Sequence, residues 1–230
     1  EMIQQGAAII DIGGASSRSK SAIISVEDEL LRTIKHIELI IKHFPGIIIS
    51  IDTWRARVAK EAIEAGASIV NDISGGDMDE EMFKTVATLQ SPYILMHMQG
   101  TPQTMQVNPV YENVVTEVIG SLKVKMEKLR SLGVHDIIVD PGFGFGKTNG
   151  HNFRLLKNLN LFKILKAPVM VGVSRKSMIN KTLNIKPNEA LNGTTALNMA
   201  ALMNGANILR VHDVKEAMET IQLYNNLQAS

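Results

Sequence analysis

Seven short runs of β-branched and aliphatic residues recur through this chain, each closing on polar or ionisable side chains, with longer amphipathic segments between them. They fall at residues 8–13, 47–53, 68–74, 93–98, 136–141, 169–174 and 207–212. Each run is almost continuously hydrophobic, which predicts strands buried on both faces, as in a parallel sheet covered by helices. The segments between them carry helix start and stop signals. Ser25 stands as an N-cap with Asp28 three residues on, and Gly66 and Gly133 stand where helical patterns stop.

Seven strand–helix units in series predict an α/β chain folded as a (β/α)8 barrel whose first strand and its loop have no counterpart here. The barrel rule gathers functional groups at the carboxyl ends of the strands. Those ends read Asp11, Asp52, Asn71-Asp72, His97, Asp140, Ser174-Arg175-Lys176 and Arg210-x-His212. An open doubly wound sheet also places polar groups at strand ends, but concentrates them at one crevice rather than on all seven strands. With 230 residues, 45% of them hydrophobic, and no linker or composition shift, residues 1–230 read as one domain.

Composition narrows the chemistry. A net charge of +1 without a long basic block gives no support for nucleic acid as a partner. No apolar run is long enough to span a bilayer, so no membrane partner is expected, and no signal peptide is read. The absence of cysteine excludes disulfides, thiolate metal sites and cysteine nucleophiles. The expectation is a soluble cytoplasmic enzyme.

Collected at one mouth, the strand-end residues form two sets. Asp11, Asp52, Asn71, Asp72 and Asp140 suit a ligand rich in N–H donors, or a divalent metal. Arg175, Lys176, Arg210 and His212 suit a phosphate or a developing negative charge. A flat hydrogen-bonding ring carrying a phosphate satisfies both. Each carboxylate has a plainer reading as a helix N-cap, preferred for Asp72 and Asp213 and open for Asp52 and Asp140. His97 reads as a packed, hydrogen-bonded barrel histidine, and His36, His43, His135 and His151 attract no functional reading.

The stretch DPGFGFGKT imitates a nucleotide-phosphate loop. That motif requires a glycine where this chain has Pro141, and Gly142 comes one place late. The weight of the segment therefore shifts to Asp140. Its glycines allow a tight turn at the mouth and let Phe145 lean over a second ligand, leaving Lys147 and Thr148 as the least committed residues.

Six segments, DIGGASSRS, SIDTWRARVAKEAIEAGASIVNDISGG, MHMQGTP, DPGFGFGKT, GVSRKSMI and GTTALNMAALMNGANILRVHDV, together resemble the dihydropteroate synthases, in order and over nearly the whole chain. The resemblance implies a transferase of alkyl or aryl groups that condenses 6-hydroxymethyl-7,8-dihydropterin diphosphate with 4-aminobenzoate in folate synthesis. It also implies Mg2+, a homodimer and inhibition by sulfonamides. By the same resemblance the pterin pocket uses Asp52, Asn71, Asp140 and Lys176, and the diphosphate site uses Arg210 and His212. Asp11 lies near the diphosphate and metal end, and the aminobenzoate region includes Ser17, Arg18, Phe145, Arg175 and Ser177. The catalytic set is then Asp11, Asp52, Lys176, Arg210 and His212.

The chain departs from the family pattern in two places. The opening strand and loop, which bring a metal-binding Asn in the family, are absent, so a longer natural chain is expected. The family's Ser-Thr-Arg-Pro-Gly segment is replaced by Ser16-Ser17-Arg18-Ser19-Lys20, which reads either as ordinary loop drift or as altered sulfonamide discrimination. Two rivals stand beside the synthase reading. A methyltetrahydrofolate:corrinoid methyltransferase has no need of Ser174-Arg175-Lys176-Ser177 or Arg210-x-His212, and a non-catalytic paralogue draws on the two departures.

Overall fold

A computed structural model describes residues 1–16 and 24–229 of the chain. Among these residues all seven expected strands form: β1 (Ile9–Gly13), β2 (Ile48–Asp52), β3 (Ile69–Asp72), β4 (Tyr93–Met96), β5 (Ile137–Asp140), β6 (Met170–Val171) and β7 (Ile208–Leu209). Eight α-helices are described: α1 (Val26–His43), α2 (Ala56–Glu64), α3 (Met82–Leu89), α4 (Val114–Ser131), α5 (Asn149–Lys157), α6 (Ser177–Leu183), α7 (Leu191–Met203) and α8 (Val214–Ala229). β1 to β5 pair in parallel in sequence order, and β6 pairs in parallel with β7. A parallel bridge between Val139 and Val169 joins the two sets, beside Val139 N–H donating to the Pro168 carbonyl at 2.9 Å. The order never reverses, so there is no switch point of the kind a doubly wound sheet requires.

The period of two decides what faces where. Outward residues such as Ile49, Ile51, Val70, Leu95 and Val139 join the helices in the main core. Inward residues Ile69, Ile94 and Met170 pack with Ile9, Ile138 and Ile208 into a plug to which β1 and β3 to β7 all contribute. Side chains from both ends of the strand series meet in this plug, which makes the sheet a barrel. β1 and β7 nevertheless share no backbone ladder among the described residues, and a cavity of about 430 Å3 runs along the cleft between them.

The helix starts follow local chemistry. Ser25 Oγ accepts from Asp28 N–H and donates to the Asp28 carboxylate, as the sequence predicts. Asn113 caps α4 in the same manner. α2 is capped from a distance, by Asp79 accepting from Ala56 N–H at 2.7 Å. Asp72 corrects its expected role. No helix starts beside it; its carboxylate accepts from Ser74 N–H, Ser74 Oγ, Gly76 N–H and Tyr93 OH, tying the turn after β3 to β4. Among the described residues, no helix is long and apolar enough to cross a membrane.

A buried ion pair locks α1 to the β2–α2 connection. Glu29, fully buried, accepts from Thr53 Oγ1 at 2.7 Å and from Arg55 Nη1 at 2.5 Å. Arg55 also donates to the carbonyls of Ile24 and Ser25. Replacing Arg55 leaves a buried carboxylate facing one hydroxyl, and the desolvation of that charge is no longer offset. Arg55→Met is expected to lower the unfolding free energy by about 3 kcal/mol in urea titration; a loss of a few tenths contradicts this assignment.

Candidate active site

Two residues above four of the plug side chains the inward face turns polar. Ile9 is followed by Asp11, Ile69 by Asn71, Ile138 by Asp140 and Ile208 by Arg210. Strand pairing places Asp11 beside Ser50, and Asp52 beside Asn71. The result is a layer of hydrogen-bonding groups over an apolar floor. The cavity reaches this layer at Asp11, Ser50, Asn71, Lys176, Arg210 and His212. Its deeper part follows the cleft between the strand edges and is apolar.

Arg210 organises one side. Its Nε donates to Asp11 at 2.7 Å and its Nη2 to Asp52 at 3.0 Å. Asp11 also accepts from Ser50 Oγ at 2.5 Å and from Asn71 Nδ2 at 3.2 Å. Burial, and then the neighbouring Asp11 charge, raise Asp52 to about 7, with Arg210 pulling the other way. Ser50 is a site residue that the sequence reading passed over. It sits mid-strand in an apolar run, and only its register against Asp11 reveals it.

Asp140 and Lys176 form the opposite side. Asp140 accepts from Gly142 N–H at 2.7 Å, so the capping role left open for it is met by a turn rather than a helix. Burial raises its pKa while the Lys176 charge lowers it. Burial lowers Lys176 to about 8. Lys176 donates to the Phe143 carbonyl and lies 4.8 Å from the centre of the Phe145 ring. Gly142, at φ +70°, brings the turn so close to β4 that an added Cβ would sit 1.9 Å from the His97 carbonyl oxygen. Gly142 and Gly146 thus serve close approach to the end of β4 and the residues after it, a role beyond the tight turn that the sequence predicts.

The remaining residues divide. His212 Nδ1 lies 2.9 Å from Ser174 Oγ, at the mouth beside the start of α8. Arg175 is directed to Asp213, donating at 3.0 and 2.5 Å, and its φ of +54° is held by Thr194 Oγ1 and Asn180 Nδ2 on its backbone. Ser177 is exposed at the first turn of α6. Ser17, Arg18 and the Ser19-Lys20 change lie outside the described residues. His97 is packed and hydrogen-bonded as expected, and burial together with Lys147 lowers its pKa to about 3. Lys147 and Thr148 overturn their reading as uncommitted. Lys147 is buried with three hydrogen bonds, and Thr148 caps α5 reciprocally with His151. Charge and glycine spacing hide such roles, because a buried lysine and a surface lysine read alike in sequence.

The arrangement suits a planar heterocycle bearing N–H donors and a carbonyl, held by Asp140, Asn71 and Lys176, beside an anion facing Arg210 and His212. Residues 1–212 match the family of pterin binding enzymes. The dihydropteroate synthase of Escherichia coli strain K12 is 42% identical over 224 residues, covering 96% of this chain and 79% of its own length. A crystal structure of the Yersinia pestis dihydropteroate synthase in complex with a sulfonamide drug superposes with a TM-score of 0.97 at 36% identity, covering all of this chain and 83% of that one. The Xanthomonas albilineans dihydropteroate synthase with 4-aminobenzoic acid does so with a TM-score of 0.94 at 33% identity, covering all of this chain and 82% of that one.

The Asp52 environment makes stability depend on pH. Its folded value, about 7, lies above its ordinary 3.8, so the folded state holds a proton that the unfolded chain gives up. That contribution is whole below about pH 4 and is lost as pH rises through 7. Asp52→Asn is isosteric and uncharged, so its melting temperature relative to the parent is expected to climb by a few degrees from pH 5 to pH 8 in ligand-free protein. A pH-independent difference contradicts the raised pKa.

Proposed function

The chain belongs to the dihydropteroate synthase family of pterin binding enzymes, and from that premise we propose how its barrel mouth divides the reaction among its side chains. It is a transferase that condenses 6-hydroxymethyl-7,8-dihydropterin diphosphate with 4-aminobenzoate, giving 7,8-dihydropteroate and diphosphate in folate biosynthesis, and it is a sulfonamide target. The observation that carries the reading is the polar layer, where carboxylates, an amide and three cationic or imidazole groups from separate strand ends converge over one apolar floor.

The pterin ring is held by Asp140, which accepts its ring and amino N–H groups, by Asn71, which both donates and accepts, and by Lys176, which donates to its carbonyl and ring nitrogen. Its diphosphate faces Arg210, His212 and the N–H groups opening α8. In the ligand-free site Arg210 is already neutralised by Asp11 and Asp52. A diphosphate competes for that guanidinium and turns the two carboxylates toward the methylene carbon. They then stabilise positive charge at that carbon as the C–O bond breaks and diphosphate leaves with the bonding pair. The aniline nitrogen of 4-aminobenzoate attacks the carbon and loses a proton. Phe145, against Lys176, supplies an aromatic shelf for that second ring. Ser177, Arg175, Ser17 and Arg18 complete its surroundings, with Arg175 acting through its ion pair with Asp213.

Mg2+ fits the donor chemistry in part. Among the described residues no group of three or more metal-ligating side chains gathers, but Asp11 offers a hard carboxylate oxygen, and magnesium commonly takes one or two such ligands plus substrate phosphates. When bound, the ion neutralises charge on the diphosphate. We read the working enzyme as cytoplasmic and as a homodimer joined through α7 and α8, where Met203, Leu223 and Leu227 are exposed. Sedimentation should give twice the protomer mass, falling to the protomer mass in Leu223→Glu/Leu227→Glu; a parent protein that sediments as a monomer removes the dimer.

The central test is diphosphate release dependent on 4-aminobenzoate. The parent protein should turn over, and Arg210→Met should lose 100-fold or more in kcat/KM, the scale of removing a group that stabilises a leaving charge. In pterin diphosphate labelled at the bridging oxygen, label should scramble before product forms if the C–O bond breaks first. Turnover without scrambling points to a concerted displacement and removes the cationic intermediate.

A further inference from the structure

The loop between β5 and α5 carries a feature that the reaction as described leaves unused. Four consecutive backbone carbonyls each accept a hydrogen bond from a different side chain. Lys176 donates to Phe143, Gln106 to Gly144 at 2.7 Å, Lys147 to Phe145 at 2.9 Å and Tyr111 to Gly146 at 2.9 Å. Gly144 and Gly146, on either side of Phe145, have φ of +83° and +62°. A phenylalanine between two glycines in left-handed conformations has little local restraint of its own. Its position is therefore set by what holds its carbonyl and its ring.

Lys147 is the member of this set that reaches into the protein. Its remaining two ammonium protons go to His97, to Nδ1 at 2.9 Å and to the carbonyl at 3.2 Å. All three donors of the ammonium are thus used, which is what a buried amine requires. His97 stands at the end of β4, so Lys147 ties the Phe145 backbone to the barrel wall. The imidazole accepts at Nδ1 and is kept neutral by burial and by the adjacent ammonium. No carboxylate shares a hydrogen bond with Lys147. Burial lowers Lys147 to about 7 while the Asp140 charge holds it up, so this buried amine is costly to fold around, and an apolar residue would fill the same space at less cost.

We propose that Lys147 is a positioning residue for the second substrate: by holding the Phe145 carbonyl to His97, it sets the aromatic shelf on which the aminobenzoate ring lies. The inference rests on the assignment of Phe145 to the aminobenzoate site made above. Lys176 fixes the same shelf from the other side, through the Phe143 carbonyl and the Phe145 ring. Lys176 lies against the Phe145 ring and lines the cavity, whereas Lys147 reaches the Phe145 carbonyl from the barrel wall. Loss of Lys147 should therefore weaken aminobenzoate binding and leave pterin binding alone.

The test is steady-state kinetics on the full chain with both substrates varied. Lys147→Met is expected to raise KM for 4-aminobenzoate about tenfold, keep KM for the pterin diphosphate within twofold and lower kcat by less than threefold. Phe145→Ala should raise the aminobenzoate KM comparably, and the double variant should lose no more than Phe145→Ala alone. Lys147→Gln, which keeps a donor for the Phe145 carbonyl, should recover much of the loss. An unchanged aminobenzoate KM in Lys147→Met, an equal rise in both KM values, or additive losses in the double variant overturns the proposal. Should the Met variant fail to fold, Lys147→Leu is measured in its place: a rise in KM confined to aminobenzoate supports the proposal, and an unchanged KM overturns it. If Phe145→Ala itself leaves the aminobenzoate KM unchanged, the shelf assignment fails, and the Lys147 proposal fails with it for that separate reason.

Discussion

Arg210 carries the connection on which the mouth depends. It follows β7 directly and binds Asp11 on β1 and Asp52 at the end of β2, joining the last strand to the first two where, among the described residues, no backbone ladder spans them. A side chain bridge across an unpaired edge does two things at once. It holds the two carboxylates in place against their mutual repulsion, and it keeps a cation at the site before any anion arrives. Its two roles are in tension, because a diphosphate that recruits Arg210 releases the carboxylates that restrain it. In the proposed reaction that exchange would turn a structural ion network into charges facing the reacting carbon.

The rest of the mouth is built by the same economy of reach. Asp11, Asn71, Asp140 and Arg210 each come from a strand whose preceding inward residue is an apolar member of the plug, as with Ile138 and Asp140 or Ile69 and Asn71. The plug excludes water from below, which is why burial dominates the shifts of Asp52, Asp140 and Lys176. Carboxylates pushed up and an amine pushed down leave a site with little fixed net charge. Such a site suits the neutral ring of the proposed substrate, with the strong electrostatics left to its anion. The glycine-rich loop then closes one side, its backbone held to β4 by close contact at Gly142 and by Lys147.

Much of this was legible from order and alternation. The seven runs, their order and their polar ends led to the barrel, and Asp11, Asp52, Asn71, Asp140, Lys176 and Arg210 were singled out because each was read near the carboxyl end of a strand. Ser50 was not found, since a serine inside an apolar run carries no signal until its register against Asp11 is known. Lys147 was misread because its burial depends on β4, fifty residues earlier in the chain. Asp72 was taken for a helix cap, and its partner Tyr93 explains the difference: a carboxylate on the outward face meets the neighbouring strand rather than the next helix.

The sequence by itself determined the strand–helix alternation, the helix start at Ser25, and the identity of the strand-end groups. These are set by period and by contacts a few residues apart, which any reader of the chain can count. Only the tertiary structure decided which charges neutralise one another, which lysine lines the cavity and which is tied to His97, and where Arg175 points. Those outcomes depend on distances between residues as far apart in sequence as Asp11 and Arg210, and on burial, which exists only once the barrel has formed.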